Sequence, residues 1–205
     1  MERLPFASRS TVVGLGDSIT DDWQSWIEIL RALLSICRSN DDIRVVNAGF
    51  SGETTAQLFD RLFFKVVSEK PAWIICMAGT NDARRWGKTA LKVEVSLEET
   101  EKNLAQLRYI GATETSAQWV WMTPTPVIPE MQRIHWVLGA ETQPIVWMNE
   151  DLEPVMHLVR RQKGVVVDLQ NVLGIPPNPE YLLDGLHPSL AGHKLIVRAL
   201  VERLS

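Results

Sequence analysis

Trp73-Ile74-Ile75-Cys76-Met77 is a run of five residues with no polar position among them. A strand with one face in water alternates polar and apolar residues. One that does not alternate belongs in a parallel sheet covered on both faces. The run is preceded by Pro71 and ends at Ala78-Gly79-Thr80-Asn81-Asp82. Four further segments read as strands: Val12-Val13-Gly14-Leu15-Gly16, Ile43-Arg44-Val45-Val46-Asn47, Gln118-Trp119-Val120-Trp121-Met122 and Val165-Val166-Val167-Asp168. Apolar residues between them recur at helical spacing. They are Trp23, Trp26, Ile27, Leu30, Leu33, Leu34 and Cys37, then Phe59, Leu62, Phe63, Val66 and Val67, then Leu97, Leu104 and Leu107. Leu190, Val197, Leu200, Val201 and Leu204 line a final helix. Strands alternating with helices predict a three-layer α/β/α sandwich around a five-stranded parallel sheet.

The 205 residues suit one domain over 1–205, with no repeat or linker to divide them. Basic residues number 21 against 25 acidic, a net charge of −4, and no basic cluster exceeds Arg84-Arg85 or Arg160-Arg161. Nucleic acid is therefore not an expected partner. Cys37 and Cys76 stand far apart without metal-ligand spacing, which predicts two buried free thiols in a reducing compartment. No apolar run approaches a membrane span, and Met1-Glu2-Arg3-Leu4-Pro5 lacks the apolar core of a signal peptide. A cytoplasmic protein is expected; nothing in the pattern specifies an oligomeric state.

Residues 124–150 depart from the alternation. Pro124, Pro126 and Pro129 exclude regular structure early, and Trp136, Val137, Leu138, Ile145, Val146, Trp147 and Met148 follow. Pro154 predicts a helix that either starts near Asp151 or starts near Ile145 and kinks. In a parallel sheet this connection leaves the fourth strand at the end where ligands bind. Trp136 and Trp147 are thus candidate substrate-binding residues on an apolar wall. Such a wall suits an apolar chain or aryl group better than a hydrated sugar.

Ser18 follows the first strand where a glycine turn feeds a helix, and its alternative role is that of a turn residue or helix N-cap. Gly52 follows the second strand, with Gly49 nearby, and Asn81 follows the third. Asp184-Gly185-Leu186-His187-Pro188 comes late in the chain. A serine hydroxyl needs a base, a histidine base needs a carboxylate on its other nitrogen, and an oxyanion needs donors. Asp184 lies three residues before His187, and Asp168, at the end of the fifth strand, is its rival as partner. Asn81 and Asp184 could equally be helix caps. His135, His157 and His193 fit surfaces or helix faces. Arg84-Arg85 reads as solvated charge or as a contact for an anionic group.

Gly16-Asp17-Ser18-Ile19, Asn47-Ala48-Gly49-Phe50-Ser51-Gly52-Glu53-Thr54, Gly79-Thr80-Asn81-Asp82 and Asp184-Gly185-Leu186-His187-Pro188 resemble, in order, the successive blocks of the SGNH, or GDSL-type, hydrolases. The resemblance implies a flavodoxin-like strand order. It implies Ser18 as nucleophile, His187 as base and Asp184 as its partner, with Ser18, Gly52 and Asn81 forming the oxyanion hole. Asp17 and Asp82 then brace the loops from behind. The implied activity is hydrolysis of a small-molecule carboxylic ester or thioester through an acyl-serine, without metal or cofactor. Carbohydrate O-deacetylation, and a catalytically dead ligand-binding domain of the same fold, are the alternatives.

Overall fold

The computed structural model describes residues 4–86, 92–132 and 145–205. Five strands form one parallel sheet: β1 (Thr11–Gly16), β2 (Arg44–Gly49), β3 (Trp73–Met77), β5 (Gln118–Met122) and β7 (Val165–Val167), in spatial order β2-β1-β3-β5-β7. This is the flavodoxin-like order. β4 (Arg84–Trp86) and β6 (Ile145–Trp147) lie outside it as an antiparallel pair.

Alternate residues of the sheet feed two cores. Ile75 and Met77 face one side, where α2 (Trp26–Cys37) and α7 (Leu190–Leu204) contribute Trp26, Ile27, Leu30, Ile196 and Leu200. Ile74 and Cys76 face the other, against Leu58 and Leu62 of the helical segment from 58, Leu104 and Leu107 of α4 (Leu97–Glu114), and Leu158 of α5 (Asn149–Arg160). All of these are buried, and each large aliphatic side chain contributes about 1.5–3 kcal/mol by leaving water. The three layers expected from the sequence are present.

Several inward assignments made from periodicity do not hold. Trp23 is 80% exposed because Ser25 starts α2 only after it, and Cys37 is exposed at that helix's last residue. Phe63 faces out because Leu58–Arg61 passes into a π-helical stretch, Leu62–Val66, which shifts the apolar face. Leu97 and Leu190 are exposed as the first residues of α4 and α7. α5 starts at Asn149, between the two expected positions, so Pro154 falls in its second turn. There the missing N–H leaves one carbonyl of the helix without its donor. The start is set by a tertiary contact. Asn149 Oδ1 accepts from Val127 N at 2.9 Å, and Asn149 Nδ2 donates to Val127 O at 2.9 Å. No helix among the described residues is long and apolar enough to cross a membrane.

The sheet's register sets up the site. Gly16 pairs with both Gly49 and Met77, Met77 with Met122, and Met122 with Val167, so all five strands end in one row. Ser18, Gly52 and Asn81 lie a few residues beyond that row, following three adjacent strands.

Candidate active site

α1 (Ser18–Asp21) begins directly after β1. Its N-cap is Asp17, whose Oδ1 accepts from Ile19 N at 3.0 Å. Ser18 is therefore the first helical residue, not the cap, and its hydroxyl is free for another partner. That partner is His187: Ser18 Oγ and His187 Nε2 are 3.0 Å apart. On the imidazole's far side, Nδ1 is 2.8 Å from Asp184 Oδ2. Asp184 Oδ1 also accepts from the N–H groups of Leu186 (3.0 Å) and His187 (2.8 Å), which folds the four residues into one turn. Leu183 N donates to His187 O at 2.8 Å and closes the turn.

The electrostatics follow from these contacts. Burial alone would depress His187. The hydrogen bond and charge of Asp184, helped by Asp17 and Asp22, outweigh it and hold His187 above its ordinary value. Burial works to raise Asp184, but the His187 ring, the His187 N–H and the Leu186 N–H together hold it low. Asp17 is buried, and burial pushes its carboxyl up to about 6 despite the Ile19 N–H and the Thr80 side chain.

Asp168 is not the histidine's partner. Its carboxylate accepts from Arg160 at 2.8 and 3.1 Å and from Gln170 N at 3.2 Å, where it caps α6 (Leu169–Leu173). Nor does Asp184 cap the last helix; Ser189 does.

Gly52 lines the cleft with Ser18, Asn81, Arg84, Trp147, Leu186 and His187. Its φ of +83° is a conformation that side-chain-bearing residues rarely adopt. Gly49 serves packing instead, since a Cβ there would sit 2.4 Å from Asp21 N. Asn81 is buried and donates one amide hydrogen to Glu53 O at 3.0 Å, which leaves its second for the cleft. Asp82 is fully buried and binds Thr55 N (2.8 Å), Thr55 Oγ1 (2.6 Å) and Thr100 Oγ1 (2.7 Å). It thereby joins the Gly52 loop to the Asn81 loop and to α4. A buried carboxylate with three donors is costly to disrupt, about 1–3 kcal/mol for each group left unpaired.

Strand alternation in β4 separates the two arginines. Arg84 lines the cleft, whereas Arg85 pairs with Asp151 at 2.6 Å and Glu150 at 3.1 Å on α5. The sequence marked the pair without distinguishing its members, because a three-residue strand carries no readable periodicity. Trp147 lines the cleft, whereas Val146 borders a different cavity together with Arg85. Trp136, Val137, Leu138 and His135 lie outside the described residues. His157 is exposed near Glu153, and His193 is buried on α7, where burial pushes it down to about 4. Among the described residues, no three of His, Cys, Asp and Glu gather as a metal-ligand set.

A family model described as GDSL-like lipase/acylhydrolase matches residues 15–195. Acetylxylan esterase of Geobacillus stearothermophilus is 26% identical over 98% of this chain and 96% of its own. Esterase TesA of Pseudomonas aeruginosa is 37% identical over 84 residues, 38% of this chain and 41% of its own. Among solved structures, an alpha/beta hydrolase enzyme from the metagenome of Lake Arreo, Spain, is similar with a TM-score of 0.73 at 26% identity, over 97% of this chain and 96% of that one. The chain belongs to the GDSL-like lipase/acylhydrolase family and, with it, to the carboxylic ester hydrolases.

Proposed function

We propose that this enzyme hydrolyses esters of small acyl groups through an acyl intermediate on Ser18. The observation that carries the reading is the unbroken chain Ser18 Oγ–His187 Nε2 (3.0 Å) and His187 Nδ1–Asp184 Oδ2 (2.8 Å). Neutral His187 takes the hydroxyl proton as Ser18 Oγ bonds to the acyl carbon. The carbonyl electrons move onto oxygen, where the Ser18 N–H, the Gly52 N–H and the Asn81 amide receive the charge. Collapse expels the alcohol, which takes its proton from His187. Water then repeats the sequence on the acyl-serine and releases the acid. Asp184 holds the Nδ1–H tautomer and stabilises the imidazolium. A catalytically dead binder of this fold would have no use for that aligned set.

The size of the cleft supports a small acyl group. The cleft is partly open; the space within it that holds water-sized groups is about 50 Å³, which suits the acyl group and leaves the alcohol part to extend through the open side. An acetyl ester fits that space better than the chain expected from an apolar wall. Of the described residues expected on that wall, Trp147 borders the cleft and Val146 turns to a different cavity. O-deacetylation, the activity named for the Geobacillus relative, is consistent with this size. The absence of a basic cluster supports a small-molecule partner rather than nucleic acid, and two free thiols support a cytoplasmic setting.

The test is the pH profile of acetyl ester hydrolysis. Only the neutral imidazole accepts the proton, and Asp184 holds His187 above its ordinary value. kcat/KM should therefore fall as pH drops, through an apparent pKa above about 6.5, and level off above it. A flat profile from acid to neutral pH would remove histidine as the base. Asn81→Ala should lower kcat by about 10²- to 10³-fold with a smaller change in KM, because an oxyanion donor acts mainly in the transition state. A change in KM alone would make Asn81 a ground-state binding residue.

A further inference from the structure

Two donors on the cleft wall have no part in the chemistry above. Arg84 and Trp147 are directly opposed in the β4/β6 ladder, which puts both side chains on one face, and both line the cleft with Ser18 and His187. Trp147 is 3% exposed, and its indole Nε1 is buried with no acceptor among the described residues. Arg84 Nε is in the same condition. Buried donors normally find acceptors. Trp119 and Trp121 also carry unaccepted indole N–H groups, but they sit in the core behind the sheet and do not border the cleft.

The pair is held in place from both edges. β4 flanks β6 on one side, and the Gln132 side chain pairs with the Trp147 backbone as an added strand would. Its Oε1 accepts from Trp147 N at 2.9 Å, and its Nε2 donates to Trp147 O at 2.9 Å. The charge is also matched in advance: the Arg84 guanidinium is 3.5 Å from Glu94 and lies over the Trp86 ring at 5.2 Å. This wall therefore offers hydrogen-bond donors with little net positive charge. Neutral acceptor oxygens suit it better than a carboxylate or phosphate. A small acyl group has no oxygen beyond the ester itself, so the acceptors must come from the alcohol part.

We propose that Arg84 and Trp147 form the subsite for the alcohol part of the substrate and receive the hydroxyl or ring oxygens of a sugar or similar neutral polyol. This rests on the ester-hydrolase reading above. The pair replaces the apolar surface that the sequence suggested for Trp147, since an indole packs apolar groups on its face but its N–H requires an acceptor.

The test compares two acetyl esters: phenyl acetate, whose alcohol part has no hydroxyl, and a methyl pentoside carrying one O-acetyl group. Trp147→Phe keeps an aromatic ring and removes the N–H. Arg84→Met keeps a long side chain and removes the donors, so either variant tests the pair if the other folds poorly. Each substitution should reduce kcat/KM on the sugar ester at least about tenfold more than on phenyl acetate, mainly through KM. Equal losses on the two esters would assign both residues to the framework of the cleft and overturn the proposal. Wild-type cleavage of phenyl acetate without cleavage of the sugar ester would overturn it as well. Failure of the wild type on both esters would instead overturn the ester-hydrolase reading beneath it.

Discussion

Ser18→Ala is expected to lower kcat for ester hydrolysis by about 10⁶-fold while leaving the fold intact. The effect should be this large because, in the proposed mechanism, the hydroxyl oxygen forms the bond to the acyl carbon. Without it, His187 has no nucleophile to deprotonate, and the remaining donors supply only about 10³–10⁴-fold over water. Folding should survive because α1 is capped by Asp17 rather than by the serine, and alanine is well tolerated at a first helical position. An organophosphonate should add once to the wild type, on Ser18 by peptide mass, and not at all to the variant. The two proteins should unfold at the same temperature. An adduct on a different residue would remove Ser18 as the nucleophile.

Asp184→Asn should cost about 10⁴-fold in kcat. The amide oxygen can still accept from Leu186 N and His187 N, so the turn should persist. Toward the imidazole, however, an amide NH₂ donates where the carboxylate accepted. The histidine then carries its proton on Nε2, and Ser18 Oγ loses its acceptor 3.0 Å away. Asp168→Asn is the control. It weakens the partly exposed Arg160 pair, at a cost of about 1 kcal/mol or less in stability, and should leave kcat nearly unchanged. If the control lost more activity than Asp184→Asn, the carboxylate assignments would have to be exchanged.

Asp184 and Asp168 show where sequence reasoning stopped. Both are acids beside short apolar segments, and spacing alone kept them as rivals. Arg160 decides between them by occupying Asp168, and no sequence rule pairs residues across a strand and a helix in that way. The same holds for the two glycines. The Gly49 position is crowded by Asp21 N, whereas Gly52 borders the cleft, and three residues of sequence separation carry neither fact.

What the sequence by itself determined is the sheet and the order of its loops. Continuous apolar runs have only one stable setting, buried on both faces, and the turns after them must then reach the same end of the sheet. Ser18, Asn81, Asp184 and His187 could be picked out as candidates for that reason, as polar residues placed just beyond apolar runs or three apart in one turn, and the structure brings them together. Only the tertiary structure decided the composition of the cleft wall. β4 and β6 are three residues each, too short for a periodic signal, and they exist because they pair with each other. β6 is completed by a side-chain amide from Gln132, and α5 is begun by one from Asn149. These are contacts between residues distant in sequence, with energies set by geometry rather than local propensity. They place Arg84 and Trp147 beside Ser18 and turn Arg85 and Val146 away.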